Sequence, residues 1–171
     1  MLRPSPPIVA LLAGVALVSC AKKAPTQLPP GPGIAEQGAD GGDPAYGGAA
    51  VPGSQADFVA SVTSDTVYFD TDRYDIDGAD AATLRSQAQW LSRYPGKRVT
   101  VEGHCDERGT RDYNLALGER RANSARSYLI GLGIDPSRIV TVSYGKERPL
   151  ALGSDEASWA RNRRAVTVTV Q

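Results

Sequence analysis

Apolar and polar residues alternate along Val99 to His104, and again along Arg164 to Val170, where Val166, Val168 and Val170 interleave with Ala165, Thr167 and Thr169. Period-two alternation of this kind predicts half-buried strands. A strand is also predicted over Ser61 to Phe69, with Val67 and Phe69 on one face and Tyr68 on the other, and another over Arg138 to Tyr144 after the Asp135-Pro136 turn. Between these runs the period changes. Ala81, Leu84, Ala88 and Leu91 form an apolar stripe at helical spacing, which predicts a helix over Ala79 to Tyr94 ended by Pro95-Gly96. A second helix is predicted from Arg111 or Asp112 to about Leu132, burying Leu115, Ala122, Ala125 and Leu129 and stopping at Gly133. A short third helix spans Asp155 to Arg161. The strands over 98–104 and 164–170 are apolar on one face only, so the helices belong on one side of the sheet, with the other side wet. The predicted fold is α/β of the α+β type, β-α-β-α-β-(short α)-β. It forms an open two-layer sandwich with helices packed on one face of a mixed sheet; a doubly wound fold is not expected.

The chain ahead of this domain has a different character. Most of the 12 prolines and many of the 18 glycines precede residue 54. Arg3, the apolar run Ile8 to Val18 and then Ser19-Cys20 have the layout of a secretory signal. The run is too short for a spanning helix, which needs roughly 20 residues. A cysteine straight after a small residue at the end of such a run resembles the bacterial lipobox. That resemblance implies cleavage before Cys20, diacylglycerol on its sulfur and an added N-acyl chain. Ala21, in place of the aspartate associated with inner-membrane retention, directs the expectation to the periplasmic face of the outer membrane. The Pro/Gly/Ala-rich stretch that follows cannot bury enough apolar surface to offset its ordering entropy and is expected to be a disordered tether, with a typical span of roughly 30–35 Å. The expected organisation is a signal peptide over 1–19, a lipidated cysteine and tether over 20–60, and a domain over 61–171.

Charge and cysteine content narrow the function classes. The 19 basic and 19 acidic residues leave a net charge of zero, so no bulk field draws the chain to nucleic acid, and no nucleic-acid partner is expected. With two cysteines and one histidine, a multi-ligand zinc site is excluded, and no cofactor or metal is expected. If Cys20 is acylated, Cys105 has no intrachain partner. Strand parity with Val99 and Val101 predicts it as a buried small hydrophobe turned away from Asp106. The run His104-Cys105-Asp106 invites a catalytic reading. Consecutive residues on a strand end face opposite ways, so a nucleophile–base pair is not available, and no enzyme is expected.

The candidate chemistry lies between Gly103 and Ala122. A strand end leads into the polar turn Asp106-Glu107-Arg108-Gly109-Thr110, and a helix follows. Asn114, Leu117 and Arg121 are three and four residues apart and share one face of it. Helical side chains lean toward the N-terminus, so the Arg121 guanidinium can approach the turn that carries Asp106. One carboxylate and one guanidinium at a helix start suit a zwitterionic ligand, although an Asp and an Arg beside a turn also suit a fold-stabilising pair. Asn114 also fits an ordinary early-helix position, and Leu117 fits a core position. Arg163 and Arg164 read either as a solvated strand start or as a second ligand contact. Trp90 and Trp159 read as core or interface aromatics.

The segments VYFDTDRYDI, VTVEGHCDERGTRDYNLALGERRANSARSYL, IVTVSYGKERP and NRRAV together resemble the OmpA-like peptidoglycan-binding domain, over nearly all of residues 66–170. The resemblance implies an OmpA-like fold and non-covalent binding of the diaminopimelate-bearing stem peptide of peptidoglycan. It maps the family's peptidoglycan-binding positions onto Asp72, Asp106, Arg108, Asn114, Leu117 and Arg121. Cys105 stands where a small residue or threonine is usual. In the lipid-anchored branch of the family, the resemblance further implies a periplasmic β-propeller partner of the TolB type, within a system that draws the outer membrane inward at division.

Overall fold

A computed structural model describes residues 50–170. The expected signal peptide, the Cys20 lipidation site and the tether up to residue 49 lie outside the described residues. The elements run α1 (Gln55–Ser61), β1 (Thr66–Tyr68), α2 (Gly78–Arg93), β2 (Arg98–His104), α3 (Arg111–Gly131), a 3-10 turn (Pro136–Arg138), β3 (Ile139–Gly145), α4 (Glu156–Asn162) and β4 (Arg164–Val170). The four strands form one sheet in the order β1-β4-β2-β3. β2 and β3 are parallel across the α3 crossover, while β4 is antiparallel to both β1 and β2. The mixed sheet with α2 and α3 on one face matches the predicted open two-layer arrangement.

Two boundaries differ from the sequence reading. The expected start of the domain at residue 61 is too late, because α1 precedes it. Ser54 caps that helix by accepting from Asp57 N, and Phe58 is fully buried with its ring edge-on to Trp90 at 5.0 Å. The first strand shrinks correspondingly to Thr66–Tyr68. A seven-residue helix with a single buried apolar residue shows no helical stripe, so its period was not visible.

The second difference concerns which face of β4 meets the helices. The sequence marks the valines as the apolar face, yet Ala165, Thr167 and Thr169 turn toward the helices, and Val166, Val168 and Val170 lie on the open side. Thr167 is 2% exposed. Its Oγ1 donates to Gln87 Oε1 at 2.8 Å, and Gln87 Nε2 donates to the Ser64 carbonyl. Burying a hydroxyl costs little once a partner is in place, and period-two patterning cannot tell which face the helices will choose. The open face is accordingly part apolar, with Tyr68, Val140 and Val170 exposed.

The core joins Phe58, Leu84, Trp90, Leu91, Val99, Val101, Ala122, Ala125, Leu129 and Ile139. Leu115, an expected core residue, is only half-buried, and Leu117 is buried. Near the end of β2 the packing becomes tightest. A Cβ on Gly103 would sit 1.9 Å from the Gly118 carbonyl oxygen, and one on Gly118 would sit 2.4 Å from Ser143 Oγ. Two glycines therefore let α3 lie directly on β2 and β3, which sets the distance between the turn after β2 and the first turns of α3.

His104 ends β2 on the open face. It is 2% exposed, its ring lies 5.5 Å from that of Tyr144, and neither ring nitrogen has a hydrogen-bond partner among the described residues, Glu102 Oε2 standing 3.7 Å from Nε2. Burial and the nearby charges of Arg164 and Arg148 pull its pKa down to about 4.

Two measurements follow from this packing. Gly103→Ala is expected to cost about 3 kcal/mol or more, because the obstacle is backbone; urea denaturation should show a lower midpoint with an unchanged slope. His104 is held neutral in the native state while the unfolded state takes up a proton below about pH 6.5. Stability is therefore expected to fall by about 2–3 kcal/mol from pH 7 to pH 4 through this residue alone. A His104→Gln variant, followed by denaturant unfolding across that range, should show a shallower acid slope.

Candidate functional site

The turn after β2 is fixed by short-range bonds that its own composition supplies. Asp106 Oδ1 accepts from the Arg108 backbone N–H at 3.1 Å, and Gly109 takes a left-handed φ of 86°. Thr110 caps α3, its side chain accepting from Tyr113 N. Asn114 Nδ2 donates to the carbonyls of Arg108 at 2.7 Å and Thr110 at 3.1 Å. Lys146 Nζ, reaching over from the end of β3, donates to the carbonyls of Glu107 and Gly109. The turn is thus tied to both flanking elements.

Opposite it runs the polar connection between β1 and α2. Arg121, on α3, holds that connection down. Its Nε donates to the Arg73 carbonyl at 2.9 Å, Nη2 to the Asp70 carbonyl at 3.0 Å and Nη1 to the His104 carbonyl at 2.8 Å. Arg121 is 1% exposed, and burial pulls its pKa below the ordinary arginine value. Asp72, between the two clamped carbonyls, has a φ of 57°, the one positive φ of a non-glycine among the described residues. Its Oδ1 accepts from the exposed Tyr113 hydroxyl at 3.0 Å.

Between the turn and this connection lies a cleft of about 280 Å³. Asp72, Asp106, Arg108, Asn114, Leu117 and Arg121 all line it. The geometry nonetheless changes the roles expected for several of them. Asp106 and Arg121 are not paired with each other. Arg108 clasps Asp106 instead, with Nε to Oδ1 at 3.1 Å and Nη2 to Oδ2 at 2.7 Å, and Arg163 Nη1 stands 3.5 Å behind Oδ2. Burial raises the Asp106 pKa, but the hydrogen bonds and charge of Arg108, aided by Arg163, outweigh it and leave the carboxyl below its ordinary range. Arg121 forms the floor of the cleft and spends three of its donors on backbone. Asn114 supports the turn, and Leu117, 3% exposed, is wall and core at once.

Cys105 departs from its expected place. Regular β2 geometry stops at His104, so strand parity no longer governs the next residue. Cys105 lines the same cleft as Asp106, its Sγ donating to the Asn114 carbonyl at 3.3 Å, and burial pushes its thiol pKa up. Arg163 and Arg164, read from sequence as solvated or contacting ligand, are buried. Arg163 Nε donates to the Phe69 carbonyl and Nη2 to Glu156 Oε1, while Arg164 reaches the carbonyls of Asn162 and Arg148. Trp90 is a core aromatic, and Trp159 is half-buried beside the turn. Sequence reasoning missed Thr71 and Tyr113 as cleft residues. Tyr113, an exposed aromatic in the first turn of a helix otherwise polar at that point, was the available signal.

Comparison with known proteins agrees with this architecture. The OmpA family matches residues 68–163. The peptidoglycan-associated lipoprotein of Agrobacterium fabrum is 49% identical over 164 residues, which is 96% of this chain and 87% of that protein. The protein of the same name from Pseudomonas aeruginosa is 49% identical over 133 residues, 75% of this chain and 79% of its own. The crystal structure of the peptidoglycan-associated lipoprotein from Burkholderia pseudomallei superposes with a TM-score of 0.63 at 44% identity, covering 67% of this chain and all of that one. The C-terminal domain of Helicobacter pylori MotB shares the fold, with a TM-score of 0.59 at 20% identity over 63% of this chain and 84% of its own. The OmpA-family peptidoglycan-associated lipoproteins are a non-enzymatic family. Extensive identity, the family match from the end of β1 through α4 and the shared fold establish that the chain belongs to the OmpA family and, within it, to the peptidoglycan-associated lipoproteins.

Proposed function

We propose that this chain is a lipid-anchored protein of the outer membrane that holds that membrane to the cell wall by binding the peptidoglycan stem peptide without covalent chemistry. The observation that carries the proposal is the cleft, in which anionic and cationic side chains line one small space yet are not all paired with one another. The distal end of diaminopimelate carries an ammonium and a carboxylate. The carboxylate is met by the N–H groups that Arg121 has left after its three backbone bonds, and by Arg108 Nη1, which has no hydrogen-bond partner among the described residues. The ammonium is met by Asp72, within the field of Asp106. Asp106 acts through Arg108, because both of its oxygens are already engaged by that side chain. Leu117 and Asn114 supply the wall and the fixed turn.

Charge-assisted bonds contribute about 1.5–3 kcal/mol each, and association costs remove much of the sum, so single-site affinity is modest. A repeating wall and a membrane-confined domain compensate through effective concentration. The family assignment also supports a TolB-like β-propeller partner and a part in drawing the outer membrane inward at division. That partner would share or compete for this end of the domain, and sedimentation with sacculi in its presence and absence tests the competition.

Co-sedimentation with purified sacculi tests the cleft itself. Arg108→Gln and Asp72→Asn, both at exposed side chains, are expected to lower pull-down about tenfold, each removing about one charge-assisted bond, with circular dichroism and melting temperature near wild type. Asp106→Ala, acting through Arg108, is expected to lower pull-down about as much as Arg108→Gln, and Arg121→Ala is expected to abolish it. Arg121→Ala should also lower the melting temperature, because it leaves three carbonyls without their donor. Wild-type pull-down by the Arg108 and Asp72 variants together would refute the site.

A further inference from the structure

Arg108 stands on an exposed turn, and a long side chain there would ordinarily sample many rotamers. Three groups restrain it. Asp106 clasps its edge, Thr71 Oγ1 accepts from Nη2 at 3.3 Å, and the Trp159 ring covers its face, with Cζ 4.2 Å from the ring centroid. Trp159 belongs to α4, outside the cleft wall. Its Nε1 donates to Glu107 Oε1 at 3.0 Å, so the residue just before Arg108 fixes the ring that Arg108 stacks against. A guanidinium held in plane by a carboxylate and from above by an indole loses little further freedom when a ligand arrives.

We propose that Trp159 is a positioning residue of the cleft: stacked on Arg108 and tied to Glu107, it holds the Arg108 guanidinium in the orientation that meets the ligand carboxylate. The inference rests on the stem-peptide reading above. A purely structural role accounts poorly for the arrangement. Trp159 is not part of the hydrophobic core, and α4 is fastened to the domain by other side chains. Asn162 Oδ1 accepts from Leu150 N and Ala151 N, and its Nδ2 donates to the Ala151 carbonyl. Arg163, which caps the helix, bonds to Phe69 and Glu156. Removing the indole therefore leaves those attachments in place.

The test is a double-mutant cycle on the full chain, reading affinity for a synthetic L-Ala–γ-D-Glu–meso-diaminopimelate tripeptide by calorimetry. Trp159→Ala is expected to weaken binding about three- to tenfold, the range of a partly exposed cation–π contact. Trp159→Phe, which keeps an aromatic face, should recover most of the loss. In an Arg108→Ala background the Trp159→Ala change should have no further effect. Equal affinity of wild type and Trp159→Ala, or the same loss in both backgrounds, overturns the proposal. A second readout needs no ligand. The Arg108 Nε–H resonance of the unliganded protein should carry a ring-current shift in wild type that Trp159→Ala removes, while the displacement due to its bond to Asp106 remains. If wild type fails to bind the tripeptide, the stem-peptide reading falls, and this resonance alone decides the positioning claim: a signal that Trp159→Ala leaves in place overturns it, and a shift lost in Trp159→Ala upholds it.

Discussion

The guanidinium of Arg121 is the constraint on which the cleft depends. One side chain from the middle of α3 binds the carbonyl that ends β2 and two carbonyls of the β1–α2 connection. Those segments are remote in sequence and have no strand pairing with each other, so this hub sets the gap between them. Its rigidity comes from burial, and burial is affordable because every bond it makes is to a fixed carbonyl oxygen. The Gly103–Gly118 contact sets the height of α3 above the sheet and so places the hub. Asp72, with its left-handed backbone between the two clamped carbonyls, is turned to the cleft as a consequence.

Around that hub the charges are layered. Arg121 and Arg163 are buried, Asp106 lies nearly buried between them, and Arg108 covers Asp106 from outside. Arg163 is paired with Glu156 and Arg108 with Asp106, so Arg121 is the guanidinium of the three without a carboxylate partner among the described residues, and Asp72 lies at the rim. On the function proposed above, the anionic group of the ligand lies at depth and the cationic group at the edge, the order of charges at the end of diaminopimelate. Charges held in place before a ligand arrives would limit the entropic cost of the weak, repeated contact proposed above.

Much of this was legible beforehand. The alternation over 98–104 and 164–170 located β2 and β4 to the residue, and the spacing of Asn114, Leu117 and Arg121 placed them on one helix face. Six residues chosen from sequence lie around one cleft. What escaped had physical causes. α1 is too short to display a period. The Thr167–Gln87 pair turned the threonine face of β4 inward, because a buried hydroxyl with a partner packs about as well as a methyl. Cys105 lay one residue beyond the strand whose parity was used to orient it. The burial of Arg163, and the clasp of Asp106 by Arg108 in preference to Arg121, depend on loop geometry that no local spacing encodes. The stacking of Trp159 on Arg108 joins residues 51 positions apart and has no sequence signature.

The central claim is that fixed opposite charges select a ligand end bearing both an ammonium and a carboxylate. The most direct measurement is a pair of NMR titrations of the isotope-labelled protein, one with the meso-diaminopimelate tripeptide and one with its L-lysine counterpart, which lacks only the distal carboxylate. The account predicts saturable shifts concentrated at residues 70–73 and 105–121 with the first peptide and little response to the second. Equal responses to both peptides, or shifts centred away from the cleft, would contradict it.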